Sequence, residues 1–221
     1  MVTEATITFL AELAAHNDRE WFQANKSRYE RSVRDPWKAF VTAAIERLSS
    51  IHPDFSDVQA KDCIFRIHRD TRFSKDKTPY KLNVAAGISA GGKTSSEPGV
   101  YLQASPSGWL IGGGAYWLST QELAAVRSHI VDRPDAWQAA RQHPDFVAHF
   151  GNLLGDRNKR LPKEFQSAAQ EQPDLYMKQF YYMSERPVAD LIGAHSLDVL
   201  EEVARAAEPM RLFLREALNR A

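Results

Sequence analysis

The hydrophobic period changes twice along this chain, and that change constrains its fold more than any other feature. Up to about residue 50, apolar side chains return at helical spacing. They are Phe9, Leu10 and Leu13, then Trp21, Phe22, Tyr29 and Val33, then Trp37, Phe40, Val41, Ala44, Ile45 and Leu48. The middle alternates with period two: Cys63, Phe65 and Ile67 against Ile64, Arg66 and His68. Residues 62–69, 82–89, 100–106 and 109–116 read as strands, and 176–183 as a fifth that returns to them. Helical spacing resumes after Ser119. Helices at both ends and consecutive strands between them predict an α+β fold. A mainly antiparallel sheet in the middle of the chain is flanked by N- and C-terminal helices, and residues 1–221 are read as one domain.

Local signals place the element ends. Asn17 and Glu20 read as an N-x-x-E capping box, and Asp35-Pro36 as a second helix start. His52-Pro53 ends that helix. Pro106-Ser107-Gly108 is a tight turn that makes 100–106 and 109–116 a hairpin. Ser119 and Glu122 form another capping box, opening a helix to near Val131. Pro134 and Pro144 open short helices, and 151–163 is a polar loop. Ser196 opens the last helix, interrupted or kinked near Pro209.

Composition removes several classes of function. The 28 basic residues balance 28 acidic ones. A global pull toward nucleic acid or an anionic membrane is therefore absent, and nucleic acid is the lesser expectation among partners. Cys63 is the only cysteine. No intrachain disulfide or cysteine-based zinc cluster can form, and the residue reads as a small buried apolar group. No apolar run reaches the roughly 20 residues of a membrane span. No membrane association is expected, and cytoplasmic residence is the default expectation.

Three motifs invite chemistry and fail on context. Residues 87–94 match G-x-x-x-x-G-K-[ST], but Pro98 and Gly99 follow where a phosphate-holding helix must begin. A strand end and hairpin loop are expected there, with Lys93 holding no nucleotide. The run Gly112-Gly113-Gly114 lacks the last glycine of G-x-G-x-x-G, since Trp117 holds that position. Glycines in a strand need a reason, either close packing or close approach of a ligand. The seven histidines form no H-E-x-x-H motif, and His68 stands between Arg66 and Arg69. No metal and no cofactor is expected.

The remaining candidate is 61–81, with seven basic residues (Lys61, Arg66, Arg69, Arg72, Lys75, Lys77, Lys81) against Asp62, Asp70 and Asp76. Arginine forks suit carboxylate or phosphate, and lysines add point charges. Ser74 and Thr78 add hydroxyls and Tyr80 a ring. The competing reading is a network in which these charges neutralise one another. Exposed ion pairs contribute less than about 1 kcal/mol each, which makes such a network a poor source of stability.

The same residues carry a resemblance. Asn17-Asp18-Arg19-Glu20-Trp21-Phe22, the block from Arg66 to Lys81, Leu161-Pro162-Lys163 and Lys178 resemble the DUF2461 family over nearly the whole chain. One departure is Glu164, where the family has glycine. The resemblance implies no reaction, cofactor or catalytic residue.

The expected function is binding of an anionic small molecule by Arg66, Arg69, Arg72, Lys75, Lys77 and Lys81 on one concave surface, with catalysis left open. Asp70, Asp76, Ser74 and Tyr80 would orient the basic groups. Asn17, Arg19, Glu20 and Trp21 would form a second wall, with Lys178 a third contributor. The alternative is a non-enzymatic module that docks a protein or nucleic-acid partner on the same patch. A metal-dependent nuclease using Asp62, Asp70 and Asp76 ranks third.

Overall fold

The computed structural model describes residues 1–219, and among them two helical stretches enclose one four-stranded sheet. The first stretch is α1 (Glu4–Ala15), α2 (Arg19–Ala24), α3 (Lys26–Tyr29) and α4 (Asp35–Ser49), then the single turn α5 (Ala60–Cys63). Strands β1 (Val84–Ile88), β2 (Gly99–Ser105) and β3 (Gly108–Ala115) follow one another. The chain then forms α6 (Thr120–Asp132), α7 (Pro134–Arg141), α8 (Pro144–Phe150) and α9 (Lys163–Gln166). It returns as β4 (Phe180–Arg186) and ends in α10 (Val188–Ile192) and α11 (Ser196–Leu218). The strands lie in the order β1-β2-β3-β4, each pair antiparallel.

Alternation assigns one sheet face to the core. Val100, Leu102 and Ala104 are buried while Tyr101 and Gln103 are only half-buried. In β4, Phe180, Tyr182 and Ser184 face inward, and Tyr181 and Met183 outward. Helix α11 packs across β3 and against α4, α6, α7 and α8. Trp37, Trp109 and Trp137 are fully buried. Phe40 meets Trp109 edge-on at 5.9 Å, and Trp137 meets Phe180 at 5.8 Å. Such aromatic pairs add stability beyond their buried area. Cys63 is buried, and its thiol is pushed up to about 11 by burial first and Asp62 second, as an inert packing group would be.

Four local expectations are corrected. Residues 62–69 are not a strand. Ala60–Cys63 is a helical turn, and beyond it an extended strip makes isolated bridges from Ile64 to Ala86 and from His68 to Tyr80. Arg69 N–H donates to the Pro79 carbonyl at 2.9 Å, but Pro79 has no N–H to return, so a regular ladder cannot grow. The capping box is displaced: Asp18, not Asn17, caps α2 by accepting from Trp21 N–H at 2.8 Å. Asp35 does not cap a fresh helix, because the π-helical turn Glu30–Arg34 leads directly into α4. Pro36 cannot bond the Ser32 carbonyl four residues back, and the wider turn accommodates its ring. The Thr6 hydroxyl donates to that carbonyl instead, at 2.6 Å. The fifth expected strand begins at Phe180, since Pro173–Tyr176 is a 3-10 turn.

Other signals are found where expected. Ser119 and Glu122 cap α6 reciprocally. Ser105 pairs with Gly108 across the hairpin turn. Proline opens α7 and α8. The expected interruption at Pro209 is not found: α11 continues through it as one helix. Glu164 sits in the first turn of α9, where a carboxylate suits the helix dipole.

Candidate ligand-binding site

The segment 66–81 is a loop on a paired stem. Lys81 N–H donates to the Ile67 carbonyl and Arg69 N–H to the Pro79 carbonyl. The stem is fixed to the turn before α2 through both backbone groups of Tyr80. The Asn17 amide donates to the Tyr80 carbonyl at 2.9 Å and accepts Tyr80 N–H at 3.1 Å. The Tyr80 ring is buried, stacked 4.0 Å from Phe22, so it is a packing group rather than a stacking face for a ligand.

Within the loop most charges answer one another. Arg72 clamps Asp70 through Nε and Nη2. Arg69 bonds Asp76 at 2.5 Å and the Thr78 hydroxyl. Lys77 Nζ donates to the Thr71 carbonyl at 2.8 Å. The Arg72 guanidinium holds the Asp70 carboxyl down at about 2, and Thr78 N–H with Arg69 does the same for Asp76. Because the folded values are depressed, the associated stability is present above the unfolded value near 3.9 and is lost as pH falls toward about 2. Carboxyl NMR titration should find both midpoints near 2. Arg72→Ala should raise the Asp70 midpoint part of the way toward the ordinary carboxylate value, because the residue 72 N–H still donates to it, and leave that of Asp76 in place. The unfolding midpoint should stay within about 2 °C, because the pair is exposed. An Asp70 midpoint near 4 in the unaltered protein would contradict the clamp.

The basic residues therefore do not converge on one surface. Arg69 and Lys81 line one cavity. Arg69 and Lys77, with Asn17, Arg19 and Tyr80, line a separate polar groove on the α2 side. Arg66 is exposed and close enough to act on both Asp70 and Lys81. Arg72, Ser74, Lys75, Asp76, Glu20 and Lys178 line neither. Trp21 packs against His16 and Phe9. Among the described residues no group of three or more His, Cys, Asp or Glu is placed to hold a metal ion. The loop carboxylates of the nuclease reading are engaged by arginines.

The cavity holding Lys81 has a volume of about 740 Å³ and lies on the outward face of the sheet. None of its lining residues belongs to a helix. Period two delivers Lys81, Asn83, Ala85 and Gly87 to it from one edge, and Tyr101 and Gln103 from β2. Tyr181 and Met183 come from β4, and Tyr116 and Trp117 from the end of β3. Tyr101 donates its hydroxyl to Gln103 Oε1 at 2.9 Å, and burial pushes its phenol up. The 89–98 loop forms another wall, where Lys93 Nζ donates to the Ile64 carbonyl at 3.1 Å. No helix begins at Gly92 or Lys93; these residues lie in a turn.

Lys81 is a half-buried part of the lining. Its ammonium lies 5.5 Å from the centre of the Phe65 ring. Burial, then the neighbouring Arg66, pushes its pKa down. Among the described residues it has no carboxylate partner within ion-pair distance. The sequence reading found Lys81 but missed the aromatic wall. The signal was present in Tyr101 and Tyr181, rings on strand positions whose neighbours supply the core.

The glycine run serves both packing and the site. An added Cβ at Gly112 would meet the Tyr182 carbonyl oxygen and Met183. Gly114 has φ +109°, open to glycine and strained for other residues. Gly113 and Gly114 also line the cavity.

The fold and this site define an α+β protein with a ligand-sized cavity on the outward face of an antiparallel sheet. The chain belongs to the DUF2461 family, described as conserved hypothetical protein, whose model matches residues 5–213. No curated protein and no solved structure matches the chain.

Proposed function

We propose that the protein binds a small organic anion, a carboxylate or phosphate, in the sheet-face cavity with the charged group at Lys81. The observation that carries this is Lys81 itself: a partly desolvated ammonium, beside a second cation, in the lining of a cavity with aromatic walls. Like charges brought together repel, and an anion relieves that repulsion. A cavity of about 740 Å³ falls in the size range of small-molecule sites, and convergent polar groups at Lys81, Asn83 and Gln103 suit orientation of a bound molecule. Catalysis is not part of the proposal.

A thermal-shift screen of organic carboxylates and phosphates tests it. A ligand at about 100 times its dissociation constant adds roughly 2.7 kcal/mol. Lys81→Met should abolish the response with its own unfolding midpoint unchanged, and Lys81→Arg should keep it. A response identical in Lys81→Met would remove the site from this cavity.

One observation favours the docking alternative. Phe73 is 96% exposed at the loop tip, between Arg72 and Lys75. A partner protein would bury it. Phe73→Ser should then abolish capture of that partner and leave the anion response intact.

A further inference from the structure

We propose that the ligand's body is a flat aromatic or heteroaromatic ring, held in a slot between the rings of the sheet face; this rests on the cavity being the anion site. The slot follows from strand register. Tyr101 on β2 is opposite Gly112 on β3, which is opposite Met183 on β4. One row along, Gly99 is opposite Gly114, which is opposite Tyr181. Gly114 thus puts no side chain between Tyr101 and Tyr181, while the Met183 thioether lies over Gly112 and closes the row beside it. Tyr101 and Tyr181 stand two strands, about 9.6 Å, apart and one row offset, which leaves room for one planar group between them.

The walls suit a ring. Tyr116 packs edge-on against Trp117 at 5.0 Å and against Tyr181 at 5.2 Å, so the β3–β4 wall is a row of three rings. Opposite it, Phe65 lies 6.4 Å from Tyr101, with the Lys81 ammonium above Phe65. The charged end and the stacking surface are therefore adjacent. Trp117 and Tyr116 remain 57% and 46% exposed, apolar area that a stacked ring would cover. A branched or saturated body of equal size would fill the same volume without matching the ring faces.

The test uses pairs of equal charge and similar size: benzoate against cyclohexanecarboxylate, and phenyl phosphate against cyclohexyl phosphate. Dissociation constants are measured by calorimetry on the full chain. Trp117 is exposed, Trp21 is half-buried and Trp37, Trp109 and Trp137 are buried, so the part of the emission change that Trp117→Leu removes is the local signal. The aromatic member of each pair should bind about two- to tenfold tighter, as an added aromatic contact allows. Binding should shift the emission, and Trp117→Leu should lose both the shift and the preference. Trp117→Leu alters an exposed side chain, and Tyr181→Leu provides a second variant with the same expected loss of preference. Equal affinity within each pair would overturn the aromatic assignment and leave the anion site standing. Binding of none of the four compounds, with no response in the wider anion screen, would overturn both.

Discussion

Gly114→Ala is expected to destabilise the protein by about 3 kcal/mol, within the range of the more severe single substitutions. Two effects add at this position. Its φ of +109° lies outside the regions that residues with a Cβ occupy readily. The added Cβ would also fall on the Phe180 carbonyl oxygen and within 2.7 Å of Tyr181 Cα, so β3 and β4 would have to separate. Backbone cannot yield as a flexible side chain does. Gly151→Ala separates the two effects, because Gly151 has φ +66° and its Cβ would meet nothing within 4 Å. It carries backbone strain alone, in the γ-turn region at ψ −81°, and should cost about 1–2 kcal/mol, less than Gly114→Ala. Urea unfolding of both variants measures the difference. Equal losses would show that the β3–β4 approach sets no limit. The same close approach leaves the cavity floor without side chains, so a stable Gly114→Ala variant should bind its ligand more weakly.

The sequence shows the α+β class and the antiparallel order because hydrophobic period and turn chemistry are local. The capping residues Ser119 and Glu122, the hairpin turn after Ser105, and the prolines opening α7 and α8 each act through near neighbours. What escaped depends on distance along the chain. Asn17 looks like a cap, yet its amide is committed to Tyr80, sixty-three positions away. Residues 62–69 have strand periodicity, but the absence of an N–H at Pro79 keeps the pairing to isolated bridges. The basic loop was legible as charge but not as geometry: the carboxylates of Asp70 and Asp76 pair with two of its arginines within the loop. The sheet-face cavity needed register. Only the pairing of Tyr101 with Gly112, and of Gly114 with Tyr181, shows rings standing beside glycines on adjacent strands.

Asn17 is the second position where a large effect is expected. Its amide satisfies both backbone groups of Tyr80, a residue only 3% exposed. Asn17→Ala leaves the Tyr80 N–H and carbonyl without those partners. An unsatisfied buried backbone group costs about 1–3 kcal/mol, so a loss of about 2–3 kcal/mol is expected for the pair. Amide exchange at Tyr80 and Lys81 should accelerate more than in the core of α11, because the substitution releases the stem rather than the whole fold. Asn17→Asp gives the sharper test. The introduced carboxylate still accepts from Tyr80 N–H but sets a negative charge against the Tyr80 carbonyl. Repulsion and burial favour its protonated form, raising its folded pKa above the unfolded value near 3.9. Protonated, it donates to that carbonyl and restores the geometry of asparagine. A raised folded pKa places the recovered stability at low pH and removes it as pH rises through the folded value. Asn17→Asp should therefore fall furthest behind the unaltered protein at pH 7 and close the gap as pH falls toward about 4. A gap constant across that window would mean that the Tyr80 carbonyl does not depend on Asn17, and the stem of the basic loop would need another anchor.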